Sequence, residues 1–531
     1  MELPRDYDKK TKEIDVDGKD LLDFKSSESN DTDVKVGEGN KTKSDLPGPK
    51  TPENSTILSI EISRAGLSDN KFIPKAIVDI YDPRKESSIS GTFDELQSEI
   101  DNTVTGFVLN LYKDYKGQSG SRVHLNKDLT INGHGHTIDC LGKKGCSAFY
   151  SNSGNIVLKN LIIINGHNDY TNKGGAIFIE GTAKYTLINC SLIDNWADDF
   201  ASAIYNDGGH TLTLKNCLFR GNTADDDDGG AIFTNDAIDA ENTIFEDNKA
   251  DDYAGAVYIN CNKYSQFKNC VFKYNVAGDD NGGAINSKAK LYLKNCTFDS
   301  NKAKVDGGAI CCDEDVQAYG CLFKNNQATG VKSHQCYGGA NRSKKDVYVE
   351  VCDFIENSTE DYGGAIYAKN IYINLLMKSK SLFRANSAND DDDDGGALYA
   401  EGDVDVDNVT LEKNKAYEDG GAIFCKNAKL RNADLAYNRA EGASACWAEG
   451  GAIYARDDVN LYENCYIYEN FAHDIGGAIT CDNINFYHPS IGFWESTTDR
   501  DGGMYSCPVY IGDIKYDGEF EVNASHANCY F

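Results

Sequence analysis

The chain has 531 residues, among them 50 Gly and 31 Tyr but only 8 Pro, and a formal net charge of −31. That charge argues against nucleic acid and anionic membranes as partners and leaves cations, basic proteins and neutral glycans. No stretch approaches 18 consecutive apolar residues, so no transmembrane helix is expected, and one globular core cannot serve a chain this long unless it grows in one dimension.

The N-terminal residues are charged and lack the apolar run of a signal peptide. Residues 1–55 are rich in Lys, Asp, Glu, Ser and Gly, which predicts a disordered tail. Residues 56–120 read as an N-terminal extension and cap, with apolar runs at Ile57–Ile62 and Ala76–Ile80. Within them, Thr92-Phe-Asp-Glu95 has the form of a capping box, opening a helix with Phe93, Leu96 and Ile100 on one face. Such a helix suits the end of a solenoid, which otherwise exposes core and unpaired strand edges.

Residues 121–486 carry a repeat. Gly-Gly-Ala-Ile or a close relative begins at Gly174, Ala201, Gly229, Ala254, Gly282, Gly307, Gly338, Gly363, Gly395, Gly420, Gly450 and Gly476, at intervals of 25 to 32 residues. Self-similarity at this period signals a solenoid, and the Leu-rich signature of a horseshoe is missing. In Leu291-Tyr-Leu-Lys-Asn-Cys-Thr-Phe-Asp-Ser-Asn301 the apolar residues alternate as Leu291/Leu293 and then as Cys296/Phe298. The parity changes at Asn295, so the chain bends there to keep both pairs inward. A second bend is expected at Asn301, and a third strand at Ile310 and Cys312. The expectation is an all-β, right-handed parallel β-helix with three short strands per coil. Asn and Gly tolerate left-handed backbone, which suits Asn189, Asn216, Asn242, Asn269, Asn295 and Gly320 at the first corner. The second corner is Asn in eleven successive coils, from Asn195 to Asn470, and predicts a hydrogen-bonded amide ladder. After residue 486 the repeat decays, so 487–531 reads as a C-terminal cap.

Of the 18 cysteines, Cys190, Cys217, Cys270, Cys296, Cys321, Cys352 and Cys465 share one inward position and should behave as small buried hydrophobes. Their parallel Cβ vectors suit disulfides poorly, whereas Cys140/Cys146 and Cys507/Cys529 are plausible pairs. No tight Cys/His cluster suggests zinc.

Three surface features are candidates for function. An acidic ridge precedes the Gly-Gly turn and includes Asp225, Asp226, Asp227, Asp228, Asp279, Asp280, Asp391, Asp392, Asp393 and Asp394. Stacked like charges need an offset, which calcium would supply, although no EF-hand loop is present; the alternative is a solvated acidic face. The loops after the second-corner Asn are long in alternate coils, and one of them carries Trp447. Aromatic residues follow the Ile in two runs, Phe178, Tyr205, Phe233, Tyr258 and Tyr367, Tyr399, Phe424, Tyr454. They would bind glycans or stack on themselves. No acid/base pair with a distinct basic partner stands out, so a polysaccharide lyase or glycoside hydrolase on the same pectin lyase-like scaffold is the alternative reading, and a purely structural spacer a third. Gly133-His-Gly-His136 resembles a polygalacturonase motif but lies away from any Asp constellation, where a turn is the simpler reading.

Phe272-Lys-Tyr-Asn275, Phe354-Ile-Glu-Asn357 and Gly363–Ile366 resemble the repeats of chlamydial polymorphic outer-membrane proteins. The stretch Gly91–Leu96, Leu129–Asp139, Asn160–Gly166 and Gly174–Ile177 is similar to adhesin-like surface proteins of methanogenic archaea. The resemblance covers roughly residues 91–490. It implies a cell-surface, adhesive, non-enzymatic protein. Taken with the surface features, the expectation is an extracellular or cell-surface solenoid that binds glycans or a protein partner, with calcium at the acidic ridge as the one candidate cofactor.

Overall fold

The structure is a computed structural model. It describes residues 55–59, 77–81, 90–168, 173–330, 335–376, 379–390, 393–442, 448–488, 491–494, 496–498, 505–506, 509–511, 514–516 and 529–530. The expected disordered tail, Asp391, Asp392, Trp447 and the Cys507/Cys529 pair lie outside the described residues or side chains.

The repeat builds a parallel β-helix. In one coil the strands are Leu291–Lys294, Thr297–Asp299, Lys302–Ala303 and Ile310–Cys312. Each lies in parallel register with its counterpart one coil on, Leu291 on Val316, Thr297 on Leu322, Lys302 on Gln327 and Ile310 on Asn341. The strands make three sheets, as expected. The first two rows share one sheet folded at the first corner. In two coils the chain runs through that corner as a single ten-residue strand, Asp403–Glu412 and Asn427–Ala436. The two-residue strand after the second corner was not anticipated, because two residues show no alternation.

Alternation places Leu, Ile, Ala and Phe inside, one layer per coil. Phe219, Phe245, Phe272, Phe298, Phe323, Phe354 and Phe383 are fully buried and stack with centroids 4.5–5.0 Å apart. The inward cysteines line a neighbouring column as buried thiols; Cys190 and Cys217, for example, donate to the carbonyls of Ile188 and Lys215. Burial pushes the Cys190 thiol up to about 12, so it stays protonated.

The first corner is as the residue types require. Asn189, Asn216, Asn242, Asn269 and Asn295 have φ of 50–52°, and Gly320 has 61°. Their side chains form an outer ladder in which each Nδ2 donates to the preceding coil, for example Asn216 to Asn189 Oδ1 at 3.0 Å.

The second corner needs a correction. The left-handed residue is the one before the conserved-position Asn: Asp194, Asp247, Tyr274, Ser300, Glu356, Lys413 and Glu469, with φ of 51–58°. Turning the chain one residue early aims the Asn side chain into the coil. From Asn195 to Asn470, ten Nδ2-to-Oδ1 bonds of 2.8–3.0 Å then run toward the following coil. The second Nδ2 hydrogen goes to a carbonyl of the preceding coil, as from Asn301 to Phe272 O at 3.0 Å. Each Oδ1 also accepts from a backbone N–H, as from Asn275 N at 3.1 Å. With its amide satisfied on all sides, this buried column holds bulky residues such as Tyr274 and Lys413 in a conformation they otherwise avoid.

The helix α1, Phe93–Asn102, begins at Thr92, whose Oγ1 accepts from Glu95 N at 3.2 Å, and buries Phe93, Leu96 and Ile100. The parallel ladder starts upstream of residue 121: Ser90–Thr92 pairs with Asp114–Lys116, and Val108–Asn110 with Thr130–Asn132. At the other end the chain reverses, and Ile514–Tyr516 and Cys529–Tyr530 pair antiparallel to Val509–Ile511 and Gly492–Phe493. Antiparallel pairing there departs from the parallel register of the coils. Among the described residues no helix is long and apolar enough to cross a membrane.

Candidate functional site

Aromatic side chains point outward from the fourth strand of the coil, and the residue just before the Gly-Gly decides what borders them. In the first run that residue is aromatic in two coils. Phe200 packs on Phe233 at 4.9 Å and Tyr253 on Tyr258 at 5.9 Å, and Lys173 Nζ lies 5.0 Å from the Phe200 and Tyr205 rings. Phe178, Tyr205, Phe233 and Tyr258 are consequently only 5–9 % exposed. Of the two expectations for this run, glycan binding or self-stacking, its burial favours self-stacking: the rings form a small separate core. Phe200 and Tyr253 directly precede Ala201 and Ala254, the two coils that lack the first Gly, and that coincidence was the available signal.

The row then breaks into polar residues. Asn286, Cys311 and Arg342 follow Tyr258 in register before Tyr367 resumes it. Arg342 Nε lies 3.3 Å from Asp306 Oδ2, and burial raises the Asp306 carboxyl to about 6 despite that cation.

The second run is different. Tyr367, Tyr399, Phe424 and Tyr454 stack at 4.8–5.1 Å with planes within 9°. Tyr337 and Tyr362, again just before a Gly-Gly, extend the patch by packing at a tilt of 36° on Tyr367 at 4.5 Å and of 48° on Tyr399 at 4.9 Å. Beyond Tyr399 the preceding residues are Asp394, Asp419 and Glu449, so carboxylates border the rings there; Phe424 is still buried, 8 % exposed, while Tyr454 is partly exposed. Tyr337, Tyr362, Tyr367, Tyr399 and Tyr454 all stay partly exposed, and Phe424 lies under the Arg456 guanidinium at 5.7 Å. Because neighbouring faces are used in stacking, what this edge offers a partner is ring edges and hydroxyls beside carboxylates. Asp419 is held protonated to about 8 by burial and by Asp394.

The acidic ridge does not act as one unit. Asp227, Asp228 and Asp252 bring carboxylate oxygens within 4.8 Å of one another, and so do Asp251, Asp252 and Asp279. These groups offer the oxygen donors that a calcium ion takes, and Asp252 is shared by both. The other candidates have separate partners. Asp225 accepts from Trp196 Nε1 at 3.0 Å, Asp280 pairs with the Tyr253 hydroxyl, and Asp394 Oδ1 accepts from Asp419 N at 3.1 Å. Asp226 is exposed and outside both groups. Asp393 is fully buried with its carboxyl raised to about 8 by burial, which opposes a cation role at neutral pH. The histidines of Gly133–His136 sit in a turn: His134 has φ 51°, and its Nε2 contacts Asn110 Oδ1 at 2.9 Å.

Residues 122–298 match the model of the right-handed beta helix region. Residues 295–313, 351–369 and 408–426 match the Chlamydia polymorphic membrane protein repeat. Each of these windows runs from the first corner through the ladder Asn to the Gly-Gly-Ala-Ile turn, so what is shared is the bends of the coil. The chain is 31% identical over 266 residues to "Probable outer membrane protein PmpG" of Chlamydia muridarum, covering 46% of this chain and 24% of that protein. It is 27% identical over 220 residues to "Probable autotransporter YfaL" of Escherichia coli, covering 40% and 15%. It is 30% identical over 215 residues to "Probable outer membrane protein PmpD" of Chlamydia trachomatis, covering 37% and 13%. The chain thus spans a quarter or less of the length of these curated relatives. No solved structure matches it.

Proposed function

We propose that this chain is a surface-displayed, non-enzymatic, adhesin-like solenoid whose contact face is the second aromatic run. The observation that carries the reading is the pair of partly exposed tyrosines, Tyr399 and Tyr454, on either side of the buried Phe424 and bordered by Asp394, Asp419 and Glu449. Tyrosine ring edges and hydroxyls suit lysine and arginine side chains through contact with the rings, with Asp394 and Glu449 as the ion-pairing carboxylates, since Asp419 stays protonated up to about 8. A net charge of −31 steers such partners toward the molecule. The reading is therefore of a protein partner with a basic surface. The names of the relatives, outer membrane proteins and an autotransporter, support display at the cell surface. On the neighbouring ridge, calcium is proposed to bridge Asp227, Asp228, Asp251, Asp252 and Asp279.

The test is binding of the full chain to immobilised basic and acidic proteins and to a glycan array. The Tyr399→Ala/Tyr454→Ala variant should lose at least tenfold in affinity for basic surfaces. Equal binding by variant and parent, or binding to neutral glycans alone, would reject the assignment. Release of reducing or unsaturated sugars from uronic-acid polymers would overturn the non-enzymatic reading.

A further inference from the structure

The cysteines divide by geometry as well as by position. Those of the inward column sit at equivalent places in successive coils, so their Cα–Cβ bonds run parallel, and their thiols donate to backbone carbonyls. Cys140 and Cys146 are arranged otherwise. They flank one tight turn, between the strands Thr137–Asp139 and Ser147–Ser151. Lys143 N donates to Cys140 O at 3.1 Å and Cys146 N to Lys143 O at 2.9 Å. Three left-handed residues, Leu141, Gly142 and Gly145, with φ of 58°, 58° and 72°, fold the turn back on itself. Both side chains are buried in the same core from the two arms of one turn, and each thiol perturbs the other.

We infer that Cys140 and Cys146 are an oxidisable pair that closes to a disulfide and fastens the first coil beneath the N-terminal cap. Cysteines on the two arms of one turn are free of the parallel alignment that makes a column unsuited to the near-perpendicular Cβ–S–S–Cβ torsion of a disulfide. Both thiols are fully buried, and Cys146 lies behind Ser121 on the cap side. A cleft of about 490 Å³ lies between α1 and the first coil, lined by Phe93, Gln97, Ser121, Arg122 and His124 among others. Ser121 Oγ stands on its wall, 3.3 Å from Cys146 Sγ.

The two thiols have distinct roles. Hydrogen bonds from Cys140 and from the Ser121 hydroxyl lower the Cys146 thiol, whereas burial raises that of Cys140. Cys146 is the nucleophile and Cys140 the resolving thiol. With a hydroperoxide as oxidant, the Cys146 thiolate attacks the terminal peroxide oxygen. The O–O bond breaks, a sulfenic acid forms and the alcohol or water leaves. Cys140 sulfur then attacks the sulfenic sulfur, the S–S bond forms, the S–O bond breaks, and the Cys140 proton leaves with hydroxide as water. Two thiols give up two electrons and the peroxide takes them.

Lys143 and Lys144 lie between the two cysteines, which makes the test direct. The full chain is treated with hydrogen peroxide, remaining thiols are alkylated under denaturing conditions, and the chain is digested with trypsin without reductant. The expected result is one cross-linked species joining the Cys140 and Cys146 peptides, two hydrogens lighter than their sum and separated by reductant. Full alkylation of both cysteines, or their linkage to column cysteines such as Cys296 instead, would overturn the proposal. In Cys140→Ser, Cys146 should be trapped by a sulfenic-acid reagent after peroxide, with Cys296 unlabelled. Equal labelling of Cys146 and Cys296 would remove the assigned order of attack.

Discussion

Replacing one rung of the inner asparagine column, Asn357→Ala, measures what the column contributes. Asn357 Nδ2 donates to Asn386 Oδ1 at 2.9 Å and Phe323 O at 3.0 Å. Its Oδ1 accepts from Asn326 Nδ2 at 2.9 Å and Asn326 N at 3.0 Å. Alanine removes four hydrogen bonds and leaves the Asn326 amide and backbone N–H without their acceptor in a fully buried site. A buried polar group stripped of its partner costs about 1–3 kcal/mol, and two such groups plus the small void give about 4 kcal/mol. The outer ladder is the internal control. Asn189→Ala also breaks two inter-coil amide bonds and puts Ala at φ 52°, but at an exposed position where water replaces the partners, so about 1–2 kcal/mol is expected. Urea unfolding supplies the free energies, and amide exchange read by mass spectrometry locates the loss in the coils on either side of Asn357, since a solenoid couples mainly nearest neighbours. A cost for Asn357→Ala below 1 kcal/mol, or equal costs at the two ladders, would refute the argument that burial sets the value of a rung.

Phe298→Ala removes a fully buried ring stacked between Phe272 and Phe323 at 4.8 Å on each side and should cost about 3–5 kcal/mol in the same assay. Stability should fall as pH rises from 5 to 8. Asp393 and Asp419 are both raised to about 8 in the folded chain and lie near 4 when unfolded, so the folded state holds the extra protons across that window. A few kcal/mol, or several degrees in Tm, should be lost between pH 5 and 8, and a Tm that climbs over that range would contradict the burial of these carboxyls. Calcium at 2 mM should raise Tm after chelation by EGTA, and Asp252→Asn, which removes the carboxylate shared by both acidic groups, should abolish most of the rise. An unchanged Tm in the parent chain would remove the metal from the ridge.

Much of the scaffold was legible in the residues because its determinants are local. A change of alternation parity at Asn295 requires a bend, and an inward Phe one coil apart from the next requires a stack. The capping box at Thr92–Glu95 reads the same way, since a cap is four residues long. What escaped detection depends on loop paths. Whether Phe200 covers Phe233, or Asp419 stands beside Tyr454, is settled by how the segment before the Gly-Gly folds over the next coil, and periodicity does not encode that. The displaced second corner was hidden for a related reason. Asn is favoured in left-handed backbone, so the Asn was assigned the bend, whereas here its amide is the valuable group and its predecessor turns.

The two asparagine columns point in opposite directions. In the inner one each amide nitrogen addresses the coil ahead, and in the outer one the coil behind. Aligned amides polarise one another, so either column alone would build up a potential along the axis, as the peptide groups of a long helix do. Side by side between Asn195 and Asn295, the two fields oppose each other. Past Asn295 the first corner passes to Gly320 and Val351 while the inner column runs on to Asn470, so the opposition belongs to the coils that carry both columns.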